Sequence, residues 1–142
     1  MKEIQLKHQD VILAYTLLRI ALGINIMVHG LVRIADIPGF AESHVAMYEG
    51  LPVPGLLIRI FAFLIPPVEL ISGFLMTIGL LTRKAIIAGF ALMITLIFGT
   101  CLLQKWDVAG SQLIYCLVFF VLLAGCSLNT ISVDQFMRSK GE

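Results

Sequence analysis

Residues 56–81, LLIRIFAFLIPPVELISGFLMTIGLL, decide the fold. A helix needs about 20 mainly apolar residues to cross a bilayer, and this run exceeds that. Yet it carries Glu69 and a Pro66-Pro67 pair near its middle. A charge at the centre of a bilayer costs on the order of 3 kcal/mol on insertion scales, so such a group faces a bundle interior and finds a partner there. Pro66 and Pro67 donate no backbone hydrogen bond, which strips the carbonyls of Ala62 and Phe63 of their helical partners. A kink is expected beside Glu69. It either opens volume for a ligand or merely bends an overlong helix.

Three further apolar runs, 11–34, 85–103 and 112–128, are each near spanning length. With 59% hydrophobic and 13% charged residues and a mean hydropathy of +0.99, the chain reads as an integral membrane protein. The expected fold is all-α: one domain over 1–142, an antiparallel bundle of four transmembrane helices. A net charge of +1 without a basic cluster excludes a nucleic-acid partner and leaves membrane lipids as the surroundings. The first run is too long for a secretory signal, carries Arg19 and His29, and lacks a small-residue cleavage site, so it reads as a retained helix.

Four spans place both termini and the turn after Leu81 on one side, with Lys2, Lys7, Arg83, Lys84, Arg138 and Lys140. Arg33, Arg59 and Lys105 fall on the other. The positive-inside bias puts both termini in the cytoplasm, with Trp106 and Tyr48 near the outer interface. Between Ile34 and Leu56 the connection is too long to lack structure. Phe40, His44, Met47, Tyr48 and Leu51 recur there at helical spacing, and Gly50 and Pro52 supply a stop. A short interfacial helix across the outer mouth is expected, with His44 on its inward stripe; the alternative is a solvated His44 on a loop.

Inside the membrane, Arg19, Asn25 and His29 share the first span and Glu69 and Ser72 the second. Arg19 lies about 13 Å above the inner edge and Glu69 about 18 Å, at 1.5 Å per residue. A buried Arg19–Glu69 salt bridge is therefore expected. It serves either to lock helix register or to form a ligand site. His29 is about 28 Å up. With Arg33, Arg59 and an inward-facing His44 it makes an electropositive outer tier that binds an anion or a carbonyl ligand, unless the arginines simply snorkel to headgroups. Ala85 and Gly89 form a small-xxx-small pair suited to close helix approach.

A bis-His haem needs two matched intramembrane imidazoles, and only His29 lies within a span, so haem is not expected. No Cys/His cluster has metal spacing, and no phosphate loop, nucleophile elbow or HExxH is present. Cys101, Cys116 and Cys126 contain no CxxC pair. Cys101 and Cys116 fall at similar depth, so either a disulfide or ordinary buried thiols would fit.

The series Arg19-Ile-Ala-Leu-Gly23, His29-Gly30 with Arg33, Leu51-Pro52, Val68-Glu69-Leu70 with Gly73, Gly79-Leu-Leu-Thr-Arg83 and Ser132-Val-Asp134 resembles the DoxX-like membrane protein family. The resemblance runs from about Leu18 to Phe136. It implies a four-helix protein of the bacterial cytoplasmic (inner) membrane, related to subunits of thiosulfate:quinone oxidoreductase. It also implies a redox-associated subunit that meets quinone and an oxidoreductase partner. Arg19, His29 and Glu69 match the family's polar positions. Glu69 and Arg19 are then the candidate catalytic residues. Arg19, Asn25, His29, His44, Arg59, Glu69 and Ser72 are the candidate ligand-binding set, with Phe61, Phe63 and Phe74 as wall. Arg19 and His29 differ by about 15 Å in depth, so they cannot both grip one ring. Two other functions compete: a non-enzymatic assembly or binding module, and a small-solute carrier, which would need a homo-oligomer because the chain has no inverted repeat.

Overall fold

The computed structural model describes residues 7–141. They form α1 (His8–Ile34), α2 (Ile37–Met47), α3 (Gly55–Ile78), α4 (Thr82–Leu102), α5 (Trp106–Ala124), a 3-10 turn at Cys126–Leu128 and α6 (Val133–Ser139). α1, α3, α4 and α5 are each long and apolar enough to cross a membrane. The chain is a multi-pass membrane protein. Connectivity places the start of α1, the α3–α4 turn and α6 at one end of the bundle, here the terminal end. α2 and the α4–α5 turn lie at the other, the loop end.

Local chemistry sets the element ends. The Asp36 carboxylate accepts the Gly39 amide at 3.0 Å, and Pro38 sits in the first turn, so α2 starts where a capped helix should. Gly79 takes φ 73°, and the amides of Gly79 and Leu80 both reach the Leu75 carbonyl. That left-handed cap stops α3 at Ile78, three residues before the expected end. α5 differs more from expectation: it begins at Trp106 rather than 112 and ends at Ala124, with 126–128 in the 3-10 turn. Gln104, at φ 54°, reverses the chain early and releases 106–111 to the helix. α3 stays helical through Pro66 and Pro67.

Glycines fix how α1 lies on α3. A Cβ on Gly23 would stand 2.7 Å from the Thr77 amide nitrogen, and one on Gly30 would stand 2.7 Å from the Pro66 carbonyl oxygen. Gly73 closes the same seam from α3, against Gly23 and Met27. Without side chains between them the two backbones touch, and that contact determines register. The expected Ala85–Gly89 approach takes another form. Gly89 faces the Phe119 ring, 2.7 Å from where its Cβ would be, so the small pair makes room for an aromatic side chain of α5. Met76, Ile86, Phe119 and Leu122, all inaccessible to solvent, form the core around that ring.

Candidate functional site

A cavity of about 470 Å³ occupies the loop half of the bundle, walled by α1, α3, α4 and α5 and roofed by α2. Ile26, Leu57, Phe61, Ile65, Met93 and Leu96 make most of it apolar. Against these walls stand His29, Arg33, His44, Tyr48, Glu69 and Gln112.

Glu69 is 4% exposed and its Oε1 accepts from Arg33 Nη1 in an ion pair that joins α1 to α3. This corrects the expected Arg19–Glu69 bridge. The glycine seam sets Gly30 against Pro66 and Leu70, so Glu69 lies beside the His29–Arg33 turn; Gly23 sits against Thr77, so Arg19 lies a turn or two further along. The seven residues from Glu69 to Met76 correspond to about 10 Å of helix. Depth estimates fail here because α1 overshoots the end of α3. Its first turns pack instead on the end of α5, where the Tyr15 hydroxyl donates to the Leu122 carbonyl at 3.1 Å.

Arg33 also lies over the Phe40 ring at 5.3 Å, and the Phe40 and His44 rings are 4.1 Å apart. The ion pair is thereby connected to the roof helix. His44 Nδ1 donates to the Phe40 carbonyl at 2.9 Å, which leaves Nε2 as an acceptor in the neutral ring. Burial holds the His44 pKa below the ordinary histidine value, and the Arg33 and Lys105 charges push the same way against the Phe40 bond. The inward stripe Phe40, His44, Met47 and Tyr48 lines the cavity, whereas Leu51 does not. Tyr48 is thus partly buried, with its hydroxyl against Gly99. Trp106 is exposed at the start of α5.

Two of the lining residues each carry a buried oxygen without a hydrogen-bond partner: Glu69 Oε2 and Gln112 Oε1. A buried acceptor left unsatisfied costs roughly 1–3 kcal/mol, so both favour a donor arriving from a ligand or water.

The remaining expected residues lie elsewhere. Arg19, 2% exposed, donates from Nη1 to the carbonyls of Met76 and, at 3.3 Å, Thr77, and from Nη2 to Ile131 at 3.0 Å. It closes the C-terminal end of α3, whose last carbonyls have no helical donors. Asn25 is exposed and accepts from the Tyr115 hydroxyl at 3.0 Å, tying α1 to α5. Ser72 donates back to Val68 at 2.6 Å along its own helix and does not line the cavity. Arg59 is exposed in a shallow outer groove with Glu42 and Glu49. Of the proposed aromatic wall, Phe61 lines the cavity; Phe63 and Phe74 face outward, 44% and 51% exposed. Cys101, Cys116 and Cys126 are free thiols.

Sequence reasoning names Arg33 in the outer tier, with snorkelling as the alternative, but not as the partner of Glu69, and it passes over Gln112. Arg33 stood at a helix end, where snorkelling is the usual fate. Its position two heptads after Arg19, with buried Ile26 between, was the available signal. Gln112 was placed at a span boundary, which α5 moves to the second turn of a helix.

At the terminal end, the segment after α5 clamps the α3–α4 turn. Asp134 accepts the Leu81 amide at 2.7 Å and the Thr82 amide at 2.9 Å, and its own amide donates to Gly79 at 2.9 Å. Asn129 Nδ2 donates to Thr82 Oγ1 at 3.0 Å. Partial burial alone would raise the Asp134 pKa, but the Thr82 and Leu81 bonds and the Arg138 charge prevail and hold it below the usual aspartate value.

Four spanning helices, a half-filled loop end and a clamped terminal end define a small membrane protein with an internal polar-floored cavity. The DoxX family profile matches residues 14–105, and the chain belongs to that family. No curated protein and no solved structure matches it.

Proposed function

We propose that this chain is a redox-associated subunit of a bacterial cytoplasmic membrane, and that its loop-end cavity takes the ring of a quinone. The observation that supports this most is a nearly inaccessible carboxylate with one oxygen unpartnered, at the edge of an otherwise apolar cavity. A volume of about 470 Å³ lies in the usual range for small-molecule sites. The residues present suit such a ligand. His29 and Arg33, both in the lining, would donate to ring oxygens, Phe61 and Ile65 would wall the ring, and Glu69 would accept or return a proton. A bound quinone would supply a lipid-soluble carrier of two electrons and two protons. The oxidoreductase partner rests on the family resemblance alone.

Arg83, Lys84, Arg138 and Lys140 gather at the terminal end, a bias that under the positive-inside rule favours cytoplasmic termini. The cavity then opens toward the opposite leaflet.

Native mass spectrometry of the chain extracted with its lipids tests the reading. One quinone mass per chain is expected, lost in Leu57→Trp, which places an indole in the cavity wall. A chain that carries no quinone and takes up none when it is added refutes the proposal.

A further inference from the structure

The hydrogen-bonding groups at the floor are of mixed polarity. Glu69 pairs with Arg33 through Oε1; as a carboxylate it is acceptor-only, and its Oε2 has no donor. Gln112, also a lining residue, carries a second acceptor without a partner, Oε1. Beside them stands Arg33, whose guanidinium carries five N–H groups and spends one on Glu69. A carbonyl oxygen set into this floor can use the arginine but turns its lone pairs toward those of Glu69. A hydroxyl does both: it donates to the carboxylate and accepts from the guanidinium.

We infer that the cavity is built for the reduced, hydroquinone form of its ligand in preference to the quinone, because of the two redox forms only the reduced one brings an O–H donor for the unpartnered Glu69 Oε2. This rests on the reading of the cavity as a quinone site. Charge-assisted hydrogen bonds are the strong ones, and gaining one while relieving a buried orphan acceptor corresponds to at least about tenfold in affinity. The apolar walls are indifferent to redox state, so discrimination falls on the floor. Binding one form tenfold tighter would shift the two-electron midpoint potential of the bound couple by about 30 mV toward easier reduction.

The test uses the full chain in nanodiscs under anaerobic conditions, with binding corrected for partition into empty nanodiscs. The probes are duroquinone, durohydroquinone and the dimethyl ether of durohydroquinone, which match in ring size and differ in O–H donors. Durohydroquinone is expected to bind at least about tenfold tighter than either of the others. Equal affinity for quinone and hydroquinone, tighter quinone binding, or an ether that binds as well as the diol overturns the inference while the quinone site stands. Failure of all three to bind overturns both. In Glu69→Gln the acceptor oxygen is replaced in part by an N–H₂ donor, so the hydroquinone preference is expected to collapse toward unity. A purely structural role for Glu69 would instead weaken all three ligands alike and leave their ratio unchanged. The wild-type ratio decides the matter independently of that variant's folding.

Discussion

Arg19 and Arg33 lie two heptads apart on one stripe of α1, and they end in opposite kinds of environment. Arg19 is held by backbone carbonyls of Met76, Thr77 and Ile131, in a region where caps and side chains close each helix end. Arg33 meets a side-chain carboxylate that keeps a free oxygen, beside a cavity. Among the described residues, each end keeps two buried polar atoms without a partner, Arg19 Nε and Asn129 Oδ1 at the terminal end and Glu69 Oε2 and Gln112 Oε1 at the loop end, but only the second pair belongs to residues that line the cavity. The same residue type therefore meets backbone carbonyls at one depth and a carboxylate beside a cavity at another, according to what α3 presents opposite it.

Arg19→Ala should break the contrast most severely. It leaves the buried Met76 carbonyl and the partly buried carbonyls of Thr77 and Ile131 without that donor, and an expected loss of about 2–4 kcal/mol follows, most of it from Met76. Unfolding by SDS titration from bicelles measures it. A loss below 1 kcal/mol would mean that water or lipid replaces the guanidinium.

A pair of double-mutant cycles sharpens the comparison. Arg33→Ala with Glu69→Ala is expected to show a coupling of about 1–3 kcal/mol, whereas Arg19→Ala with Glu69→Ala should be additive within about 0.5 kcal/mol. Reversal of that order would restore the pairing expected from depth alone.

Smaller effects come from two titratable groups outside the spans, Asp134 and His44. Asp134→Asn should cost about 1 kcal/mol, the usual value of a helix N-cap. Because the folded pKa of Asp134 lies below its ordinary value, its contribution is complete above about pH 4 and is lost as pH falls through the folded value. The Asn variant should lack that acid limb. His44 has the opposite dependence. Its pKa is lowered on docking of α2, so the undocked helix binds more protons, and docking is complete above about pH 6.5 and weakens as pH falls below it. Hydrogen exchange of the 37–47 amides should accelerate between pH 6.5 and 5 in the wild type and lose that dependence in His44→Gln.

Hydropathy made the four spans and the roof helix legible, since lipid imposes length and apolarity on each spanning segment regardless of its neighbours. Register was not legible. It depends on Gly23 and Gly30 meeting backbone atoms of Thr77 and Pro66, a pairwise fit that no single-chain periodicity encodes. The rule that buried charges find partners identified Glu69 as paired, but α1 offers two arginines of the same sign, and only the register chooses between them. Candidates at helix ends were the hardest to judge. Arg59 is exposed, and Arg33, from an equivalent sequence setting, is engaged in the cavity floor.

The reach of Asp134 back to Leu81 and Thr82 also has a consequence for biosynthesis. Those partners are 53 and 52 residues apart in sequence. At ribosomal rates of 5–20 residues per second, the α3–α4 hairpin waits roughly 3–10 s for the side chain that caps it. During that interval α4 enters the membrane with its first amides bare and α3 with its last carbonyls only partly covered. The hairpin must therefore be carried through insertion by its apolar surface and by Arg19 alone, and the clamp arrives as a final fastening on helices already in place.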